Sequence, residues 1–426
     1  MERKTTAHGI GTKRQRDNEK KEVFQKRQKV CSNTPLISDH FFPSPTQSSP
    51  ALSISDDALS LVFRFLNWDK LLSKCRAVSR RWNRVVPKSV YVVSGSFDEI
   101  TIEHVSKLSS LRKLSIESSS FPGSALWFIS TLTSLRELEL ESAYVLNNDL
   151  TYLSGLTLLQ KLNLSFTRIT DAGLKHLSGL TSVQELDICH SRITNAGLVH
   201  ISKLSSLRAL DLSATQITDA GLVYFSKLAS LQKLTLNSTR ITDAGLKHLS
   251  GLTSLKKLSL RWIRITDAGL VHLSGLTSLQ ELDIRHSRIT NAGVKHLLES
   301  TLLRKLSLSS TQITDAGLVH FSKPTLLQQL NLSNTRITDA GLLHLSGLTL
   351  LQQLSLSWTD ITDAGLVHLS GLTSLQRLDL NWTNITDAGL KHLVGLPWLC
   401  FVGCCQSKAT HDYFKDFHNE FKLVNF

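Results

Sequence analysis

The chain has 426 residues, 41% of them hydrophobic, and its 48 Lys and Arg outnumber its 35 Asp and Glu to give a formal net charge of +13. This hydrophobic content excludes a wholly disordered polyelectrolyte, and the length allows two or three ordinary domains or one long array. No apolar run approaches the ~20 residues that cross a bilayer, so we expect no membrane span and no membrane partner. The six cysteines do not form a disulfide framework, which indicates a soluble protein of a reducing, intracellular compartment.

The basic charge is concentrated at the N-terminus. Residues 1–30 hold ten basic and four acidic side chains, nearly half of the total excess. Two basic clusters separated by eleven residues resemble a bipartite nuclear localisation signal, which implies a location in the nucleus, the cytoplasm or both. A merely solvated arm is an equally open interpretation. The resemblance is carried by Lys13, Arg14, Lys26, Arg27 and Lys29.

A proline-rich stretch follows this tail. Residues 31–50 hold four of the eight prolines together with many Ser and Thr. We therefore expect residues 1–50 to be a disordered basic tail and a Pro/Ser-rich linker. Thr34, Ser44 and Ser49 each precede a proline and are candidate phosphorylation sites.

Residues 51–90 contain two amphipathic helical stretches, over 54–66 and 71–82. By composition they form only a small all-α unit of ~40 residues, too small to be stable without a partner. The residue order resembles an F-box, the motif that docks substrate receptors onto the Skp-type adaptor of SCF cullin–RING ubiquitin ligases. The run Ile54-Ser55-Asp56-Asp57 corresponds to the family's opening leucine-proline-acid-acid, and Val78-Ser79-Arg80-Arg81-Trp82 to its later valine-cysteine/serine-arginine-x-tryptophan.

The F-box resemblance has one departure, Ser55 in place of the family's proline. An alternative is that the segment is a small helical cap on the repeats that follow, which would have no affinity for the adaptor. The resemblance itself implies that the adaptor is bound by Ile54, Leu59, Val62, Phe63, Leu66, Val78 and Trp82.

A period of 24 residues governs the rest of the chain. The string Ile-Thr-(Asp/Asn)-Ala-Gly begins at ten evenly spaced positions from Ile169 to Ile385. A matching LxxLxL frame runs from Leu111 to Leu375, which gives twelve frames and a degraded thirteenth. This is the period of leucine-rich repeats, and residues 108–404 resemble that superfamily. The resemblance implies an α/β fold, a horseshoe-shaped solenoid with a parallel sheet on its concave face and short helices on its convex face.

One repeat shows the physical basis of this fold. Leu162 and Leu164 alternate as in a strand with one buried face. Thr170 and Asp171 are typical of a helix start, and Gly179 of a helix end. One such unit cannot bury its own leucines, but a stack of units can.

The ends and turns of the array carry further expectations. Because a solenoid needs covered ends, we expect a connector or cap at residues 91–107 and a C-terminal cap at 405–426. Thr167 and its equivalents stand where the family often has Asn or Cys bonding the neighbouring repeat. We expect these hydroxyls to form a similar but weaker ladder, interrupted at Ile263.

Nine histidines in register form another column, with Tyr224 at its one gap. A metal site or pH sensor would use imidazoles. A straight stack on the helical side cannot converge on one ion, however, so helix-surface residues multiplied by duplication are the favoured interpretation. The column is His176, His200, His248, His272, His296, His320, His344, His368 and His392.

Positions equivalent to 161, 163, 165, 166 and 168 are expected to point outward from strand and turn, and they vary most. Three of the seven tryptophans share one column, where an exposed ring needs a cover, and arginines dominate the next. Bases also outnumber acids on this face between residues 233 and 336. We expect a protein substrate with an acidic or phosphorylated segment, bound by Phe166, Arg240, Arg261, Trp262, Arg264, Arg285, Arg288, Trp358 and Trp382.

Two other interpretations of this face stay open. The columns are also explained as a solvated face that duplication has copied. Arg and Trp can stack on RNA bases, but nucleic acid is the less favoured partner because acids interrupt the basic zone and no nucleic-acid motif is present.

No nucleophile–base pair, phosphate loop or metal-ligand spacing occurs in the sequence, so we expect no catalysis, no cofactor and no metal. An F-box followed directly by leucine-rich repeats resembles a known class of substrate receptor. The resemblance implies that the F-box binds the Skp-type adaptor and its cullin–RING module, while the repeats hold a protein substrate for ubiquitination. The alternative is a non-catalytic leucine-rich-repeat scaffold without ligase association.

Overall fold

The computed structural model describes residues 91–96, 99–116, 119–298, 302–323 and 325–408. The predictions for the basic tail, the linker and the F-box-like segment concern residues outside these ranges. The same holds for the predicted C-terminal cap from residue 409 onward.

Within the described residues the strands form one parallel sheet, in which each strand pairs with the next along the chain. Leu162 lies opposite Leu186, and the same step of 24 residues continues to the last strand. Each position of the repeat therefore forms a straight column across the sheet. The strands are β1 Val92–Gly95, β2 Lys113–Ile116, β3 Glu137–Glu139, β4 Lys161–Asn163, β5 Glu185–Asp187, β6 Ala209–Asp211, β7 Lys233–Thr235, β8 Lys257–Ser259, β9 Glu281–Asp283, β10 Lys305–Ser307, β11 Gln329–Asn331, β12 Gln353–Ser355, β13 Arg377–Asp379 and β14 Phe401–Gly403.

Short helices return the chain from each strand to the next, because a 24-residue repeat leaves room for only one or two turns. The α-helices are α1 Glu99–Val105, α2 Leu126–Ile129, α3 Asp171–Leu174, α4 Leu198–Ile201, α5 Asp243–Leu246, α6 Asp267–Leu270, α7 Asn291–Leu297, α8 Asp315–Leu318, α9 Asp339–Leu342, α10 Asp363–Leu366 and α11 Asp387–Leu390. The 3₁₀ segments are Gly123–Ala125, Asp149–Leu153, Lys175–Leu177, Asp219–Lys227, Lys247–Leu249, Val271–Gly275, Val319–Ser322, Leu343–Leu345, Val367–Leu369 and Lys391–Leu393.

Strand and helix leucines meet in one continuous core. Leu162 and Leu164 of the strand side and Leu174 and Leu177 of the helical side are all at most 2% exposed. They belong to a single cluster that runs along the array. This confirms the predicted solenoid of a parallel sheet backed by short helices.

Two local features complete this description. Residues 91–107, predicted as a connector or N-terminal cap, contain β1, whose Val93 is buried and pairs with Leu114, so this segment extends the sheet by one strand. The helical segment Lys175–Leu177 ends directly before Gly179, with Ser178 as its C-cap, and Gly179 does not have positive φ. The next repeat has Lys203 at the equivalent position, which shows that the turn needs no glycine.

The prediction of a hydroxyl ladder at Thr167 and its equivalents is wrong. The Thr167 hydroxyl donates to the carbonyl of Leu164, three residues back in its own repeat, at 2.6 Å. Thr215 and Thr311 do the same with their own repeats. Ile263 is buried in the equivalent place without a gap in the array.

A ladder of side-chain hydrogen bonds between repeats is formed instead by one Asp or Asn per repeat, which in most repeats is the first residue of the helix. The Thr194 N–H donates to Asp171 Oδ1 at 2.8 Å, and its hydroxyl donates to Asp171 Oδ2 at 2.6 Å. Each acceptor binds the threonine 23 residues further on, which links one repeat to the next. The acceptors are Asn147, Asp171, Asn195, Asp219, Asp243, Asp267, Asn291, Asp315, Asp339 and Asp363.

The glycine of the Ala-Gly dipeptide makes room for this ladder. A Cβ placed on Gly269 would lie 2.4 Å from Asp243 Oδ1 and 3.0 Å from a methyl group of Leu246. A side chain there would displace the carboxylate that Thr266 needs. The repeated Ile-Thr-(Asp/Asn)-Ala-Gly string therefore supplies the donor, the acceptor and the space for the hydrogen bonds that join neighbouring repeats.

Candidate functional site

The most unusual backbone of the array lies in the turn after each strand. Twelve residues with side chains, one per repeat, have φ between 53° and 61°, the left-handed region that non-glycine residues seldom occupy. We call this set the left-handed column. It consists of Ser142, Phe166, His190, Ala214, Ser238, Trp262, His286, Ser310, Asn334, Trp358, Trp382 and Gln406.

The left-handed turn continues the hydrogen-bond ladder between repeats. The Phe166 N–H donates to the Cys189 carbonyl at 2.9 Å, and the Trp358 N–H donates to the Asn381 carbonyl at 2.9 Å. A left-handed L-residue is destabilised by about 1–2 kcal/mol. Since eleven of the twelve turns make this bond, the ladder offsets a strain that recurs along the column.

Large rings in this column are exposed, as predicted. Trp262 is 61% exposed, Trp358 55%, Phe166 50% and Trp382 47%. Exposed apolar rings of this size, close to one another, typically mark an interaction surface.

The rings also form pairs that the sequence analysis did not anticipate. Phe166 stacks on His190 with centroids 4.2 Å apart and planes 11° apart. Trp262 stacks on His286 at 3.5 Å and 9°. Trp358 stacks on Trp382 at 4.3 Å and 13°. The sequence contains a signal for this stacking, because the two rings of each pair occupy the same repeat position, one 24-residue step apart.

A second column, two residues further along each turn, carries free positive charge. Its members are exposed, and among the described residues Arg240, Arg264, Arg288 and Arg336 have no ion-pair partner. We call these four the arginine column. Guanidinium groups next to aromatic rings are suited to bind carboxylate or phosphate groups of a partner.

Two predicted substrate-binding arginines lie on the sheet face and are engaged within the chain. Arg285 donates to both carboxylate oxygens of Asp283, at 2.9 and 2.7 Å, and these bonds raise the pKa of Arg285. Arg261 Nε lies 3.8 Å from the same carboxylate, beyond hydrogen-bond distance. Asp283 therefore offsets charge that the sequence analysis assigned to a partner.

The neighbouring lysines are balanced in the same way. Lys257 and Lys305 lie 3.1 and 3.3 Å from one carboxylate oxygen of Glu281. Much of the basic excess on the sheet face is thus internally paired, and the free charge is left to the arginine column.

Position 165 of the repeat, predicted to point outward, is buried in four repeats and partly or fully exposed in the other described ones. Ser165 and Asn237 are at most 7% exposed. The prediction is wrong for these two small side chains, whereas Glu141 is exposed and the long Arg261 and Arg285 extend to the surface, at 41% and 33% side-chain exposure.

A groove of about 510 Å³ lies over the sheet face from β7 to β14. Its lining includes the Glu281 and Asp283 ion pairs together with Asn331, Asp379 and Phe401. This groove combines charged and amide groups with apolar surface, whereas the left-handed column is aromatic in its largest members.

Acidic groups collect near the other end of the sheet. Asp187, Cys189 and Asp211 have ligand atoms within 4.8 Å of one another, the one such cluster among the described residues. Burial raises the pKa of Asp187, and the charge of Asp211 adds to the rise. Burial also raises the pKa of the Cys189 thiol to about 12, which favours the protonated thiol at neutral pH.

The histidine column follows the helical side, as predicted. His176, for example, lies in the segment Lys175–Leu177, and burial lowers its pKa. Within the described part of the chain, no three of these histidines lie close enough to share one metal ion.

The remaining predicted site residues fall outside the described ranges. The adaptor-binding set from Ile54 to Trp82 and the localisation set from Lys13 to Lys29 both belong to residues 1–90. Among the described residues, no helix has the length and hydropathy to span a bilayer.

The array matches two family models that are both described as leucine-rich repeats. One matches residues 157–217 and 229–289, and the other matches 299–322, 323–346, 347–370 and 371–394. Together the matches cover just over half of the chain. The chain belongs to the leucine-rich-repeat family. Stacked repeats of this kind present extended binding surfaces, so the array is a protein-interaction scaffold, and the left-handed and arginine columns are its candidate contact surface.

Solved leucine-rich-repeat structures share this fold. An internalin from Listeria monocytogenes superposes with a TM-score of 0.55 at 22% identity, over 86% of this chain and 94% of that one. A leucine-rich-repeat protein from Leptospira interrogans gives a TM-score of 0.54 at 20% identity, over 82% of this chain and 86% of the other. At these identities the likeness shows the fold alone. No curated protein matches the chain.

Proposed function

We propose that this leucine-rich-repeat protein is the substrate-recognition subunit of an SCF-type ubiquitin ligase. In this role the F-box-like segment binds the Skp-type adaptor and its cullin–RING module. The repeats hold a protein substrate, and an associated enzyme transfers ubiquitin to it. The chain then acts by raising the effective concentration of the substrate at the ligase, without catalysis of its own.

The observation that carries the binding half of this proposal is the left-handed column with its stacked aromatic pairs. Trp262 and Trp358 are more than half exposed in the free chain, and Trp262 shares its turn with the unpaired Arg264. Aromatic and Arg side chains dominate protein–protein hot spots. The free guanidinium groups favour an acidic or phosphorylated partner.

The ligase half is supported by the F-box-like runs at residues 54–57 and 78–82, directly before the repeats. It is tested by co-expression with the Skp-type adaptor and affinity purification of the full chain. We expect the wild type to retain the adaptor and Leu59→Ala/Phe63→Ala to lose it. A matched control, Trp127→Ala/Leu158→Ala, removes two exposed apolar residues of the array and leaves adaptor binding unchanged.

Failure of the wild type to retain the adaptor would overturn the ligase proposal. The second candidate, a binding scaffold without ligase association, would then stand on the same aromatic surface. The basic residues from Lys13 to Lys29 support action in the nucleus, which a fluorescent fusion with these five residues changed to alanine tests by loss of nuclear signal.

A further inference from the structure

The stacked pairs of the left-handed column recur with a longer period than the repeat itself. The pairs begin at Phe166, Trp262 and Trp358, which are four repeats apart. Between successive pairs the column holds two small or short residues, Ala214 with Ser238 and Ser310 with Asn334.

The ring geometry shows which way these pairs face. Their centroid separations of 3.5 to 4.3 Å are close to the ~4.8 Å spacing of neighbouring strands. Planes within 13° of parallel at such distances must lie face to face, so each ring normal points along the stacking direction of the repeats. Each pair therefore covers two ring faces and leaves two open, one at either end.

Open ring faces enclose two slots along the column. Slot 1 lies between His190 and Trp262, and slot 2 lies between His286 and Trp358. Each is three strand spacings wide, about 14 Å between ring planes, or about 11 Å after allowance for ring thickness. The Ala214–Ser238 and Ser310–Asn334 pairs form their floors.

The two slots are chemically equivalent. Each has an imidazole wall, an indole wall and a floor of short side chains. In slot 2 the floor is tied together by the Asn334 amide, which donates to the Ser310 hydroxyl at 2.9 Å. Exposed Gln216 and Arg240 border slot 1, while Gln312 and Arg336 border slot 2.

We propose that the two slots bind a single extended acidic protein segment through two aromatic side chains six residues apart, each followed closely by a carboxylate or phosphate group. This rests on the protein-binding half of the proposed function. Equivalent walls are four strand spacings apart, about 19 Å, and an extended chain covers that distance in about six residues at ~3.3 Å each. Residues i and i+6 point to the same side of an extended chain, because side chains alternate.

Charge placement favours a protein segment over RNA. In the column two residues further along each turn, Gln216 and Gln312 interrupt the arginines and Asp360 follows Arg336, whereas a nucleic acid needs a continuous basic track for its phosphates. Two separate slots, each with an arginine nearby, are suited to a peptide that carries separate aromatic and acidic side chains.

The test uses the full chain and fluorescein-labelled 12-residue peptides of Glu, Ser and Gly, measured by fluorescence anisotropy. One peptide has two Trp at i and i+6, a second has them at i and i+3, and a third has one Trp. We expect the i,i+6 peptide to bind at least ten-fold more tightly than the other two. A Gln version of the same peptide, without its acids, should bind more weakly.

Variants locate the binding. In Trp262→Ala/Trp358→Ala the affinity for the i,i+6 peptide should fall to that of the peptide with one Trp, or below. Ala214 already occupies an equivalent position, so alanine fits this backbone. The matched control Trp127→Ala/Trp398→Ala removes two other exposed tryptophans and should change nothing.

Equal affinities for the i,i+3 and i,i+6 peptides, or no binding at millimolar concentration, would overturn the two-slot proposal. Binding of oligo(U) RNA that is lost in Trp262→Ala/Trp358→Ala, without peptide binding, would overturn it in favour of nucleic acid. Adaptor retention is measured separately through residues 54–82. Adaptor retention without peptide binding would therefore mean that the two-slot proposal has failed. Peptide binding without adaptor retention would mean that the ligase proposal has failed.

Discussion

At the scale of single residues, the left-handed column is strained in a way that glycine would relieve. Ser238 has a φ of 56°. Ser238→Gly should stabilise the chain by up to about 1 kcal/mol, because the left-handed penalty of ~1–2 kcal/mol exceeds the extra entropy that glycine loses on folding. Ser238→Val should destabilise it by about 1–2 kcal/mol, because a β-branched residue is an outlier at positive φ. Urea unfolding followed by circular dichroism gives the order of midpoints, and unchanged midpoints in both variants would contradict this account of the turn.

Asp187 is a second residue with a local energetic consequence. Burial raises its pKa in the folded chain, so the proton is bound more tightly there than in the unfolded chain. The stability that this provides is present at acid pH and is lost as the pH rises through the folded pKa. Asp187→Asn should therefore raise the unfolding midpoint at pH 7 and have little effect near pH 3. Asn163 and Asn331 already occupy the same column, so the amide fits. A gain in midpoint that is equal at both pH values would argue against titration of Asp187.

At the scale of elements, the ladder between repeats reverses the usual effect of glycine in a helix. Gly269 lies in α6, where alanine normally stabilises by up to ~1 kcal/mol. Its Cβ would meet Asp243 Oδ1 at 2.4 Å, so Gly269→Ala should instead destabilise by about 1–3 kcal/mol. Gly251→Ala is the matched control, since no atom lies within 4 Å of its added Cβ. The thermal unfolding midpoint should fall in Gly269→Ala. In Gly251→Ala it should rise or stay unchanged.

The acceptor of the same ladder gives an independent prediction. Asp243→Ala removes the two hydrogen bonds that Thr266 donates and should cost about 1–3 kcal/mol. Asp243→Asn should cost less, because Asn195 accepts from the Thr218 N–H at 2.9 Å and donates to its hydroxyl at 2.8 Å. The comparison is made by urea unfolding, and equal losses for Ala and Asn would contradict the assigned role.

At the scale of the whole molecule, the solenoid could be predicted because leucine spacing reports burial directly. The Leu162 and Leu164 alternation predicts a strand, and the 24-residue period predicts stacking. β1 was missed because Val93 pairs with Leu114 without a leucine frame of its own. The Asp171–Thr194 bond was missed because a motif copied in every repeat does not show whether its partner lies in the same repeat or the next.

The candidate surface was predicted in composition but not in geometry. The exposed tryptophans could be predicted because they share one variable column. Their stacking could not, because it depends on a left-handed turn that contains no glycine to indicate it in the sequence. Charge counting placed Arg285 with the substrate-binding residues, but the structure pairs it with Asp283. The net charge of +13 is therefore a poor guide to the contact surface, and the free arginine column is a better one.

The central claim is that one chain joins a ligase adaptor to a protein partner, and a bridging measurement tests it most directly. The Skp-type adaptor is immobilised, the full chain is added, and retention of the labelled i,i+6 peptide is recorded. We predict retention with the wild type and with Trp127→Ala/Trp398→Ala. Retention should be lost in Leu59→Ala/Phe63→Ala and in Trp262→Ala/Trp358→Ala. No retention with the wild type, or equal retention with Leu59→Ala/Phe63→Ala, would contradict the account.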